Sequence, residues 1–383
     1  MAWRDPDPFS CEAAGHALDF YPAGKDRYAA LMAMIGEARS SLRLCFYIFS
    51  DDECGRAVRD ALTAAAARGV DTVLIVDSFG ASVTEPFFAG FIAAGGTFRR
   101  FMPRKTHRYL IRNHQKMAIA DEDRAMIGGF NIENSYFDPP ERGGWQDLGV
   151  IVRGPVVADL VDWFDGLERW TALERGQFRS IRRMVREWRS GSGPMRLLVG
   201  GPTKGVSSWA RCVSNDLCDC SRLDMIMAYF SPSPRLLGRL GHIARTGQAR
   251  FIFAAKSDNG ATIGATRSRY HRLLRKGAKI LEFSPAKLHT KLIVIDDVVY
   301  IGSANFDMRS LFINLELMLR IEDAALADRM RQFFAAHIPA SLEITPELHA
   351  TRRTLLNRIR WSLSWYLVAV VDYSVARKLN LGL

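Results

Sequence analysis

Two short stretches of this chain carry residue types able to handle a phosphate. The first is His114-Gln115-Lys116, then the apolar Met-Ala-Ile-Ala, then Asp121, then Gly128-Gly129-Phe130-Asn131. The second is His289-Thr290-Lys291, then Leu-Ile-Val-Ile, then Asp296, then Gly302-Ser303-Ala304-Asn305. An apolar run bounded by polar residues reads as a buried strand. Strand alternation puts each histidine and its lysine on one face and the residue between them on the other. An imidazole can attack or exchange a proton while the ammonium beside it neutralises phosphate oxygens. One copy alone is weak, because a lone His or Lys is more often a satisfied structural side chain. Three fixed residue types at a few per cent usage each should coincide about once in 10^4 start positions. Here the pattern occurs twice, and both copies lead to Gly-Gly/Ser-x-Asn.

The duplicated H-x-K-x4-D spacing resembles the mark of the phospholipase D superfamily. Within it the chain is most similar to bacterial cardiolipin synthases, over residues 15–345. The resemblance implies an α/β fold: two homologous phospholipase D-like lobes, each a mixed β-sheet flanked by helices, packed with pseudo-twofold symmetry around one active site. The expected catalytic set is His114, Lys116, Asp121, His289, Lys291 and Asp296. Asn131, Ser303 and Asn305 are expected on the phosphate, with Gly129 standing where Ser303 stands in the other lobe. Asp121 and Asp296, at their strand ends, are expected to hold the motif loop and the cleft geometry without transferring protons. A nucleophilic histidine needs a partner at its second ring nitrogen to fix the tautomer. The acidic residues downstream suit that task, and the resemblance implies that Asp147 serves His114 and Glu316 serves His289. It also favours His114 as nucleophile, through a phosphohistidine, and His289 as acid and base; spacing alone does not say which attacks. No cofactor and no metal are expected, since two lysines already supply positive charge.

The elements around the motifs repeat. Residues 42–49 and 222–230 read as strands ending in Ser50 and Ser231. Helix, strand, helix and strand follow in the same order in each half, up to each motif, offset by roughly 175–182 residues, which means two homologous lobes. The divisions read as residues 1–175, a basic linker at 176–193, a second lobe at 194–345 and a tail at 346–383. Residues 1–20, rich in Pro and Asp, read as irregular.

Charge and composition bear on the partner. The net charge is +11 and 48% of residues are hydrophobic. Such a balance suits a packed enzyme with an anionic partner, either a membrane surface or a nucleic acid. Residues 99–112 are basic and read as a loop at the site mouth that meets lipid headgroups. In the tail, Arg352, Arg353, Arg358 and Arg360 precede an apolar stretch with Trp361 and Trp365. It is too short to span a bilayer, and its composition is that of an interfacial helix. Nothing in the sequence reads as a signal peptide or a transmembrane helix. The six cysteines lack a zinc spacing and a disulfide framework. The expected function is therefore a phosphatidyltransferase acting on phosphatidylglycerol, peripheral to the cytoplasmic face of the bacterial inner membrane. A hydrolytic phospholipase D would use the same residues. A nuclease is disfavoured, because the tail aromatics cluster rather than interleave as stacking platforms.

Overall fold

The computed structural model describes residues 3–102, 111–173, 178–203 and 205–371. In chain order the first lobe contributes β1 (Phe9–Ala13), β2 (His16–Tyr21), β3 (Ser41–Phe46), β4 (Asp71–Asp77), β5 (Thr97–Phe101), β6 (Met117–Ala120), β7 (Arg124–Gly128), the two-residue β8 (Trp145–Gln146) and β9 (Gly149–Arg153). The second contributes β10 (Met195–Gly200), β11 (Arg222–Met227), β12 (Phe230–Ser231), β13 (Gln248–Ala254), β14 (Lys279–Phe283), β15 (Lys287–Leu288), β16 (Lys291–Ile295), β17 (Val298–Gly302), β18 (Phe306–Asp307), β19 (Glu316–Glu322) and β20 (Ser341–Glu343). One sheet runs β1-β2-β9-β7-β6-β3-β4-β5 and the other β10-β19-β17-β16-β11-β13-β14-β20. Seven strands correspond one to one. The eighth is added at opposite edges, as β1 in one lobe and β20 in the other. Three strands of each sheet are parallel and joined through helices; the motif strands β6 and β16 run antiparallel to them.

Both sheets are covered on both faces, which is why their central strands read as unbroken apolar runs. Alternate residues feed different cores. On β16, Leu292 and Val294 join a core shared by both lobes, while Ile293 and Ile295 join an outer core of the second lobe. On β6, Met117 and Ile119 face the shared core and Ala118 and Ala120 the outer core of the first lobe. The helices Val156–Ala172 and Ala324–His337 supply Leu160, Phe164, Phe333 and Phe334 to the shared core. The lobes are thus joined by hydrophobic burial and share a middle layer.

Two readings of the sequence change here, those of residues 1–20 and of the tail. Residues 1–20 are not irregular: β1 and β2 form a hairpin from Phe9↔Phe20 to Ala13↔His16. Ala14 and Gly15 turn it with φ of 50° and 74°, the twist a two-residue hairpin loop requires. The polar residues Ser10, Glu12 and Asp19 alternate along half-buried edge strands, and composition hid that alternation. The basic helix Phe178–Glu187 docks on the protein, burying Phe178, Ile181 and Val185. In the tail, Thr354 caps the helix Leu355–Trp365, but its tryptophans turn inward. Trp361 stacks at 5.8 Å on His349, and Arg269 lies 4.3 Å over Trp365. Of the basic loop, Arg99 and Arg100 lie on β5 and Arg112 lies beyond it, while residues 103–110 lie outside the described residues.

Asp121 and Asp296 sit at the far ends of the motif strands, in tight turns with φ of 51° and 44°. Asp121 accepts hydrogen bonds from the backbone N–H groups of Arg39, Ser40 and Ser41 at 2.7–3.1 Å. Asp296 does the same for Ser221 and Arg222 at 2.9–3.2 Å. A whole strand separates each from its histidine, so they pin the end of the motif strand to the start of its antiparallel neighbour, β3 or β11, and take no place in the cleft. Each Asp→Ala change should cost about 1–2 kcal/mol, the worth of a lost capping carboxylate. That loss is read as a lower thermal midpoint, with the kcat of the folded fraction kept within a few-fold.

Candidate active site

Each motif histidine leaves its strand and reaches the other lobe. The N–H of His114 donates to the carbonyl of Leu315 at 2.9 Å, and the N–H of His289 to that of Gln146 at 2.7 Å. The short strands β8 and β15 pair in parallel beside the second contact. Leu315 and Gln146 each precede an acidic residue, so the backbone register brings each acid to the opposite histidine. His289 Nδ1 lies 2.7 Å from Asp147 Oδ2, and His114 Nδ1 lies 3.1 Å from Glu316 Oε2. The pairing is therefore crossed. The expected service of His114 by Asp147 and of His289 by Glu316 is overturned, because each acid lies in its own lobe but faces across the interface. A carboxylate at Nδ1 requires the proton on that nitrogen and leaves Nε2 as the reactive atom.

The two lysines complete the cluster. Lys116 Nζ donates to the carbonyl of His114 at 2.6 Å and Lys291 Nζ to that of His289 at 2.5 Å. Both are buried, and neither forms an ion pair among the described residues. Burial, opposed in part by Glu316, pulls the Lys116 ammonium down to about 7; burial, opposed in part by Asp147, pulls Lys291 down to about 8. Burial and the nearby lysines push His289 down to about 3, and His114 is lowered well below its usual value for the same reasons. Lys291 of the opposite lobe contributes to the depression of His114, so the groups share one field. Burial raises Glu316 to about 7 despite the lysines. Burial would raise Asp147 too, but His289 and Lys291 outweigh it and hold the carboxyl below its usual range. The cluster is short of anion and ready for one.

The remaining expected residues divide. Ser303 donates its hydroxyl to Glu316 Oε2 at 2.5 Å and accepts from the Leu317 N–H at 3.0 Å. It is committed to the carboxylate that holds His114, which corrects its placement on the phosphate. At Gly129 a Cβ would come within 2.8 Å of both Asp147 oxygens. Glycine there is the space the shorter acid occupies, so the Ser/Gly difference follows the Glu/Asp difference. Asn131 Oδ1 accepts from the Ile48 N–H at 3.0 Å, whereas the buried Asn305 Oδ1 has no partner among the described residues.

Sequence reasoning missed several neighbours. Tyr136 and Trp145 pack edge-on to His289 at 5.2 and 5.3 Å, and Tyr47 lies 5.0 Å from His114. Arg27 is fully buried, and among the described residues no carboxylate lies in ion-pair range of it. It binds the carbonyls of Asp147 at 2.7 Å, Tyr136 at 2.9 Å and Trp145 at 3.4 Å, and also that of Pro22. One guanidinium thereby ties together the three residues that surround His289. Arg27 falls near the start of the helix Gly24–Glu37, where a charged residue ordinarily faces solvent, so no sequence signal marks it.

Two crossed histidine–carboxylate pairs and two buried lysines, on a duplicated α/β fold, define an enzyme of the phospholipase D superfamily. A family model described as "Cardiolipin synthase, PLD-like domain" matches residues 31–167 and again 218–338. The chain belongs to this family, that of phospholipid phosphatidyltransferases. It is 29% identical over 349 residues to a cardiolipin synthase of Listeria monocytogenes, 88% of this chain and 71% of that protein. It is 28% identical over 364 residues to the major cardiolipin synthase ClsA of Bacillus subtilis, covering 91% and 74%. A phosphatidylserine synthase of Haemophilus influenzae shares the fold with a TM-score of 0.75 at 13% identity, over 97% of this chain and 96% of that one. A polyphosphate kinase of Porphyromonas gingivalis shares it with a TM-score of 0.60 at 15% identity, over 87% and 49%.

The pH profile of kcat/KM should be bell-shaped with its maximum near neutrality. The lysines are cations below their depressed values of about 7 and 8 and lose charge as pH rises through them. Glu316 loses its carboxylate as pH falls through about 7. Bound phosphodiester favours the ammonium forms, so the alkaline limb of kcat should lie higher than that of kcat/KM. Gly129→Ala should lower kcat by about a hundredfold by displacing Asp147, as misplacing a catalytic group by an ångström does. A steady-state assay of that variant measures the loss.

Proposed function

We propose that this chain moves a phosphatidyl group from one phosphatidylglycerol to a second, giving cardiolipin and glycerol. In this reading it works as a peripheral protein on the cytoplasmic face of the bacterial inner membrane. The observation that carries the reading is the pair of buried, unpaired ammonium groups between two oppositely held imidazoles. Lys116, Lys291, Asn131 and Asn305 hold the non-bridging oxygens and stabilise charge at phosphorus. His114 Nε2 attacks phosphorus. The bond to the headgroup glycerol breaks, and His289 gives that oxygen a proton. Asp147 stabilises the imidazolium of His289, and the arriving anion offsets the lysine field that otherwise keeps it neutral. In the second half, His289 takes the proton from a glycerol hydroxyl of the acceptor lipid. That oxygen attacks phosphorus, the phosphorus–nitrogen bond breaks and His114 is regenerated. The two lysines meet the charge, so the scheme invokes no metal ion.

Among the described residues no helix is long and apolar enough to cross a membrane. Support for a surface mode comes from the net charge of +11 and the basic tail.

His114→Ala and His289→Ala should each lower turnover by at least about a thousandfold, and EDTA should leave the rate unchanged. Labelled phosphatidylglycerol should be converted to cardiolipin and glycerol. Phosphatidic acid as the main product, near-wild-type rates from either variant, or preferential cleavage of single-stranded DNA would overturn the reading.

A further inference from the structure

A second basic feature lies outside the cleft. A cavity of about 500 Å³ opens between the helices Gly260–Leu274 and Leu355–Trp365. Its polar lining includes Arg267, Arg352, Arg360, Asn357, Ser284 and the buried Glu282. Glu282 is held by Arg267 at 2.8 and 2.9 Å, by the Tyr270 hydroxyl at 3.1 Å and by Arg352 at 3.4 Å. One carboxylate is thus shared by two guanidiniums, and the third in the lining, that of Arg360, forms no ion pair among the described residues. The surroundings are as one-sided. Residues 260–276 carry Arg267, Arg269, Arg272, Arg275 and Lys276 with no acid, and residues 346–371 carry four arginines against Glu347.

The outer face of the second helix is apolar. Leu355, Leu356, Ile359 and Leu363 are 71%, 75%, 58% and 55% exposed. At 3.6 residues per turn they fall within about 100° of the helix circumference, opposite the inward Trp361. A continuous row of exposed large aliphatics beside arginines fits a bilayer surface bearing negative headgroups, which meets both at once.

The cavity also lies on the edge that carries the active site. Lys291 pairs with Met227, Met227 with Phe253 and Phe253 with Glu282, one row across the sheet. Three strand spacings, about 14 Å, separate the backbone of Lys291 from that of Glu282. Ala255 and Ser284, which follow β13 and β14, line the cavity at that same edge.

We propose that this cavity binds the headgroup of a non-reacting anionic phospholipid. Arg352 and Arg360 hold its phosphate, and the leucine row on the outer face of the helix enters the apolar layer of the same membrane surface. The bound lipid seats the active-site edge on the membrane. The proposal rests on the membrane-surface reading above and names where and how the contact is made.

The test compares the full-length wild type with Arg360→Gln and Arg358→Gln. Both arginines are exposed on the same helix, and only Arg360 lines the cavity. Flotation is measured on phosphatidylcholine vesicles with and without roughly one third phosphatidylglycerol. Arg358→Gln should weaken binding to the anionic vesicles by no more than about fivefold, the worth of one surface charge. Arg360→Gln should weaken it by well over tenfold, and both variants should keep wild-type kcat on monomeric short-chain phosphatidylglycerol. Equal losses from the two variants would mean diffuse attraction and overturn the headgroup site while leaving the membrane reading intact. A wild type that does not float on anionic vesicles would sink the membrane reading itself, and the site with it. Loss of oligonucleotide binding with unchanged flotation in Arg360→Gln would assign the cavity to nucleic acid and overturn the proposal.

Discussion

Two ammonium groups of like charge, Lys116 and Lys291, are buried in one cluster without a carboxylate of their own. Everything else at the lobe interface answers to that constraint. Water would solvate them far better than this interior does, and burial lowers their proton affinities accordingly. The arrangement is sustained because the fold is paid for elsewhere, in a hydrophobic core shared by both lobes. In the proposed reaction a phosphodiester entering the cleft supplies the missing anion, and binding and charge stabilisation come from the same two groups.

The crossed carboxylates make the two lobes interdependent. His114 is oriented by Glu316 and His289 by Asp147, each across the interface. Neither half holds a complete histidine–carboxylate pair by itself. A change that shifts one lobe against the other moves both acids off both histidines. The symmetry is approximate in a way that matters. The second lobe uses the longer acid and steadies it with Ser303, while the first uses the shorter acid and clears space with Gly129. His289 is further enclosed by Tyr136 and Trp145, whose carbonyls Arg27 ties to that of Asp147. The two imidazoles therefore differ in surroundings, which suits the two roles proposed for them.

Much of the framework was legible before any coordinates. The apolar runs after each motif histidine read correctly as β6 and β16, because strands buried on both faces carry little polar punctuation. The internal repeat foretold four matching strands in each half, the three before each motif and the motif strand itself, and the structure brings the match to seven. What misled was composition taken without alternation: Ser10, Glu12 and Asp19 made a hairpin look irregular. The paired tryptophans of the tail suggested lipid contact, but rings of that size also fill a helix–helix groove, and Trp361 and Trp365 do so. The leucines on the other face, individually unremarkable in sequence, are the exposed ones.

By itself the sequence determined the chemistry available: two histidines, two lysines and two downstream acids, in a duplicated spacing that assigns the superfamily. Local pattern suffices for that, because residue type and strand periodicity are local properties. Which acid meets which histidine was settled only by tertiary structure. The pairing depends on the backbone bridges from His114 to Leu315 and from His289 to Gln146, contacts between residues far apart in the chain. The same holds for Asp121, Asp296 and Ser303. Position in the motif put the two aspartates at their strand ends and the serine on the phosphate; the packing of the strands supplied the aspartates' backbone partners, a strand's length from the histidines, and turned the serine to a neighbouring carboxylate.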